Sequence, residues 1–155
     1  YEDSSFNSIL AFGLYHNLEE GLQDALNETV RVLKPGGRLC ASFRADNLQN
    51  KINDSLSGRD NLSEYFHKLN LTKKEFSDLL TNAGLIVEEV HTVVNMPLLY
   101  KFRIFRHKRH KEFNENLGRK EGYQLSGLGR WIQFFLLTLF ASQFCNLYVV
   151  IAKKV

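Results

Sequence analysis

Residues 17–37 read NLEEGLQDALNETVRVLKPGG and lie between two short apolar runs, FNSILAF at 6–12 and RLCASF at 38–43. This arrangement limits the fold more than any other feature of the chain. Leu18, Leu22, Ala25, Leu26, Thr29 and Leu33 recur at three- and four-residue steps, so a helix over 18–33 carries one apolar face that must be buried. Asn17 stands where an N-cap belongs, with Glu20 three residues on, which predicts a capping box. Pro35 ends the helix, because its ring cannot continue the hydrogen bonding and pushes the preceding residue out of helical geometry. Gly36 and Gly37 admit positive φ and let the chain reverse. Strand, helix and strand in that order predict two parallel neighbours in one sheet.

The remaining pattern extends this unit. Residues 46–70 are polar and predict an insertion with a short helix at most, around Asn61 to His67. Thr72 and Glu75 make a second capping box, Leu71 and Phe76 a hydrophobic staple, and Gly84 a stop. Phe76, Leu79, Leu80 and Ala83 form that helix's buried stripe, and LIVEEVHTVV at 85–94 reads as a third strand. KFRIFRHKRHK at 101–111 holds six Lys/Arg and two His without an acid. If helical, it would dock Phe102, Ile104 and Phe105 and turn its cations to water. A helix near 130–143 and a final strand, NLYVVIAKKV, complete the alternation, which is that of an α/β layered sheet. With 155 residues, 44% of them hydrophobic, the chain suffices for one core.

Several classes drop out. WIQFFLLTLFASQF at 131–144 has 14 residues, interrupted by Gln133 and Gln143, against the ~20 needed to span a bilayer, so no transmembrane segment is expected and a buried helix is. Cys40 and Cys145 lie 105 residues apart in apolar runs, as buried free thiols of a reducing, cytoplasmic compartment would. The sequons at Asn27, Asn53, Asn61 and Asn70 follow no signal peptide and are read as chance. A net charge of +3 selects no partner by itself, and no metal site is expected.

At residues 6–43 the sequence resembles the second half of class I S-adenosylmethionine-dependent methyltransferases, in the small-molecule branch called type 11 or UbiE-like. The match is carried by Phe6-Asn7, by the GLYHNL turn and by RVLKPGGRL at 31–39, and LTKKEFSDLLTNAGLIVEEV is similar to that family's next helix and strand. Asn7 departs from the family's usual Asp, and Asn17 from the second residue of a His-His pair. The resemblance implies a partial Rossmann-like sheet containing strands 4-5-7-6 of the family's order, the last antiparallel, with insertions at 46–70 and 96–144. The family's glycine-rich cofactor loop and ribose-binding acid do not occur in residues 1–155. The chain therefore reads as the C-terminal half of the domain, which alone would bind S-adenosylmethionine poorly. Its first strand would form an open edge prone to self-association.

Ligands of open α/β sheets sit outside the carboxyl ends of the strands. By resemblance, Ala11, Phe12 and Gly13 would run beside the cofactor through their backbone. His16 has two roles open to it, catalytic base or shaping of the turn. Tyr15 lines the substrate pocket or packs. Arg44 grips an anionic substrate or pairs with Asp46 or another acid, and Asp46 shares that strand exit. His67 touches substrate or lies on the surface. Lys101–Lys111 holds an anionic group or is a solvated face. The helix with Trp131, Phe134, Phe135 and Phe140 roofs a site for an apolar acceptor or packs in the core. The implied function is methyl transfer to a small-molecule or lipid-like acceptor. The alternative is a non-enzymatic module that pairs with another chain or an anionic surface. Nucleic acid is not favoured, since no Asn/Asp-Pro-Pro-aromatic signature follows the first strand.

Overall fold

A computed structural model describes residues 1–18, 20–56, 69–110 and 123–155. Among them, four strands form one sheet: β1 (Phe6–Ala11), β2 (Leu33–Arg44), β3 (Leu85–Val93) and β4 (Leu147–Lys154), in the order β1-β2-β4-β3. β1 and β2 are parallel, and β4 runs antiparallel to both β2 and β3. This is the mixed α/β sheet expected from the 4-5-7-6 order. Its core gathers Leu26, Leu33, Leu39, Phe43, Phe76, Leu80 and Val150, with the rings of Phe43 and Phe76 4.8 Å apart. β1 is an edge strand, and Leu10 on it is 72% exposed.

The crossover helix, α1 (Leu22–Val32), is shorter than the periodicity suggests. Its N-cap is Gly21 at φ +84, and no side chain caps it, so the capping box expected at Asn17 and Glu20 does not form. Asn17 instead closes a 3₁₀ turn, Tyr15–Asn17, and its Nδ2 donates to Gly13 O at 2.6 Å. A left-handed glycine accounts for the late start, since only beyond it does the chain settle into helical geometry.

At the other end the helix stops before the proline. β2 opens at Leu33 and carries Pro35-Gly36-Gly37 within itself as a bulge: β1 advances from Phe6 to Ser8 while β2 advances from Leu33 to Arg38. Gly36 supplies φ +74. Gly37 is required by proximity, because a Cβ there would meet Lys34 O at 2.8 Å and Asn7 O at 3.0 Å. Lys154 Nζ donates to Val30 O at 2.6 Å and Leu33 O at 2.7 Å, satisfying carbonyls that the helix end leaves open.

α3 (Lys73–Asn82) has the expected capping box: Glu75 N donates to Thr72 Oγ1 at 3.2 Å and Thr72 N to Glu75 Oε2 at 2.8 Å. Gly84, at φ +93, follows its end. The polar stretch from 46 onward holds a full helix that the pattern did not predict, α2 (Leu48–Leu56). The helix expected around Asn61 to His67 lies outside the described residues.

Two expectations after β3 are corrected. The basic run is not one helix. It follows and contains short 3₁₀ turns, Leu98–Lys101, Arg103–Phe105 and Lys108–His110, and Phe102 and Ile104 are exposed instead of docked. The apolar helix α4 (Gly127–Phe140) is capped by Ser126, whose Oγ accepts from Gly129 N at 3.1 Å. It is not buried: Trp131, Phe134, Phe135 and Phe140 face solvent. Among the described residues no helix is long and apolar enough to cross a membrane.

Candidate active site

β1 and β2 leave the sheet at the same edge. Ala11 sits opposite Ala41, and Gly13 N donates to Ser42 Oγ at 2.9 Å. Gly13 is left-handed at φ +71, and a Cβ there would meet nothing within 4 Å, so its backbone is open on that side. The chain then turns through His16, whose half-buried ring stands edge-on to Phe43 at 6.2 Å and whose carbonyl accepts from Leu69 N at 3.0 Å.

Beyond these exits lies a cavity of about 460 Å³ lined by His16, Arg44, Asn50, Asn53, Asp54, Asn95, Met96, Tyr100, Lys101, Arg106, Tyr123, Asn146 and Leu147. Arg44 anchors one wall. Its Nη2 donates to both carboxylate oxygens of Asp54 at 2.7 Å, and its Nη1 to Asn70 Oδ1 at 2.5 Å. The two side chains are only 13% and 28% exposed, so the pair is largely removed from water. Asp46 is not the partner of Arg44; it pairs with Lys51 at 3.1 Å.

Asparagines hold this end of the sheet together. Asn47 caps α2, its Oδ1 accepting from Asn50 N at 3.0 Å, while its Nδ2 donates to Ser142 O and Cys145 O, each at 2.9 Å. Asn50 Nδ2 donates to Ala45 O at 2.7 Å and Asn146 O at 2.9 Å. Asn146 Oδ1 in turn accepts from Asn95 N at 3.0 Å and Met96 N at 3.1 Å. These bonds bind α2, the exit of β3 and the entry of β4 into one frame. The thiol of Cys145 is buried in it, and burial pushes its pKa up, keeping it protonated. Burial, with Cys145 alongside, pushes the neighbouring Tyr148 to about 12.

The opposite wall comes from the basic segment. Arg106 stacks over the Tyr100 ring at 4.7 Å and donates from Nε to Tyr100 O at 2.7 Å. The Tyr100 hydroxyl is buried without a hydrogen-bond partner among the described residues. Lys101 and Arg106 add cationic side chains to the cavity lining, beside the paired Arg44 and Asp54.

The structure thus brings His16 and Arg44 to one cavity, with Ala11, Phe12 and Gly13 at the adjoining exit. Tyr15 goes elsewhere: it is fully buried in the core and its hydroxyl bonds Thr29 Oγ1 at 2.9 Å. His67 and Lys111 lie outside the described residues. Asn50, Asn53, Asp54, Asn95, Met96, Tyr100 and Asn146 were not anticipated. Only the three- and four-residue spacing of Asn47, Asn50, Asn53 and Asp54 carried a signal for any of them. Among the described residues no group of three His, Cys, Asp or Glu side chains could hold a metal ion.

Comparison with known proteins bears on the fold. Residues 1–41 match the methyltransferase-domain family. No curated protein sequence matches the chain significantly. A solved S-adenosylmethionine-dependent methyltransferase from Methanosarcina mazei superposes with TM-score 0.57 at 16% identity, covering 100% of this chain and 62% of that one. The Burkholderia thailandensis 1,6-didemethyltoxoflavin-N1-methyltransferase, solved with 1,6-didemethyltoxoflavin and S-adenosylhomocysteine, gives 0.52 at 12% identity, with 99% and 46% covered. The [4+2]-cyclase SpnF gives 0.52 at 16% identity, with 99% and 51% covered. The chain thus spans about half to three fifths of the length of these structures, and its fold is theirs.

Proposed function

We propose that this chain, which has the class I methyltransferase fold, forms part of an enzyme that transfers a methyl group from S-adenosylmethionine to a small anionic acceptor. One observation carries the reading: the parallel strands β1 and β2 lead His16 and Arg44 to one cavity, which also carries cationic side chains and a buried Tyr100 hydroxyl that has no hydrogen-bond partner among the described residues. Ala11, Phe12 and Gly13 suit contact with the cofactor through the main chain, because Gly13 leaves its backbone uncovered. Bound there, the cofactor supplies a sulfonium methyl group open to in-line attack. The protein's part is to align the acceptor and, where the attacking atom bears a proton, to accept it. His16 stands on the cavity wall to do so. Lys101 and Arg106 hold the acceptor's anionic group, and the Arg44–Asp54 pair fixes the wall between them and the strand exits. Calorimetry of S-adenosylmethionine into the complete gene product is expected to give saturable heat. Its absence at saturating cofactor removes the reading.

The open edge of β1 supports a second reading, in which the chain pairs with another chain. Leu10 lies exposed on a strand whose outer hydrogen-bonding edge is unpaired among the described residues. Size-exclusion chromatography of residues 1–155 is expected to show oligomers that Leu10→Lys disperses. A clean monomer in the unaltered chain counts against it.

A further inference from the structure

α4 turns its apolar side chains outward. Gly129 and Gln133 are its buried residues, whereas Trp131 is 67% and Phe134 71% exposed, with Leu128, Phe135 and Leu139 also in solvent. The helix is anchored through its first turn on the basic segment: Ser126 N donates to Phe105 O at 2.7 Å, and a Cβ on Gly129 would fall 2.8 Å from the same oxygen. Ile104, next to Phe105 in the chain, is 79% exposed.

Among the described residues, the basic segment and α4 carry charge of one sign. Arg103, Lys108, Arg109 and Arg130 are exposed and form no ion pair among the described residues. No Asp or Glu occurs at 90–110 or 123–155. A groove of about 590 Å³ between the basic segment and α4 is walled by His107, Arg130, Gln133, Phe134 and Leu137. Gln133 is 6% exposed, and both polar atoms of its amide lack a hydrogen-bond partner among the described residues, a costly arrangement unless a ligand supplies one.

We propose that this face docks onto an anionic lipid bilayer. The exposed aromatic and aliphatic groups of α4 and Ile104 enter the boundary between headgroups and acyl chains, the cations hold lipid phosphates, and the groove admits a headgroup whose oxygens bond the Gln133 amide. A protein partner commonly meets a rim of mixed polar groups. Exposed Trp, Phe and Leu on a helix that carries Arg130 and packs on a basic segment are instead the composition of an interfacial element. The inference goes beyond methyl transfer and does not depend on it.

Trp131 is the chain's single tryptophan, so its emission reports the contact directly. Vesicles of phosphatidylcholine mixed with phosphatidylserine are expected to shift that emission to the blue, with affinity falling about fivefold for each of Lys108→Gln and Arg109→Gln and falling further in high salt. Ile104→Asp, at an exposed position, should weaken binding while leaving the circular dichroism spectrum unchanged. Three outcomes overturn the proposal: no shift on mixed vesicles, equal binding to phosphatidylcholine alone, or a shift that grows with protein concentration without lipid, which would assign the face to a second copy of the chain.

Discussion

Arg44→Met is expected to destabilise the protein by about 3 kcal/mol, because it leaves the carboxylate of Asp54 poorly hydrated with no countercharge. It also removes the donor to Asn70, and with it a tie between β2's exit and the residues leading to α3. Removing both partners should cost less than removing one. In Arg44→Met with Asp54→Leu no charge is left to desolvate, so most of the lost stability returns. Urea denaturation of the two single variants and the double checks this. If Arg44→Met alone shifts stability by less than about 1 kcal/mol, the pair behaves as a surface ion pair and the wall it supports is not rigid. The same set separates support from recognition: a double variant that refolds but loses its acceptor gives Arg44 a contact with the acceptor beyond its place in the wall.

Gly37→Ala is expected to cost about 2 kcal/mol, within the range for overpacking a closed site. Its new methyl group would press on two carbonyl oxygens of the backbone and, at 3.0 Å, on Leu33 Cγ. Backbone on both sides of the bulge must then move, and it is paired to β1. Gly36→Ala is the control. There the nearest atom is Lys153 Cε at 3.9 Å, so the cost is only that of holding alanine at φ +74, about 1 kcal/mol. Thermal unfolding of both variants should place Gly37→Ala lower. The reverse order would mean that the turn's dihedral angle, not its crowding, makes glycine necessary here.

Where hydrocarbon patterning governs, the fold was legible. β1, β2, β3 and β4 are apolar runs with strong breakers between them, and Thr72 with Glu75 announces α3 by a local hydrogen-bonding rule. α2 escaped because it buries Gln49, Asn50 and Asn53 instead of Leu or Val. The amides of Gln49 and Asn50 donate to carbonyls of Ala45, Met96 and Asn146, and the last two are distant partners that only the folded sheet brings near. α4 shows the converse limit. An apolar stripe says that a surface avoids water, not that this chain covers it. Of the site, His16 and Arg44 could be placed because strand exits are predictable once strand order is. Tyr15 could not, since one turn of 3₁₀ helix decides whether its ring meets the cavity or the core, where it closes on Thr29.

β4 is the only ladder between β2 and β3 among the described residues, so the sheet is two separate pieces until residues 147–154 arrive. A ribosome making this chain has almost finished these 155 residues before that joint can form. Sheet closure then spans a wide sequence separation, from residues 38–44 to 147–153, which favours slow assembly.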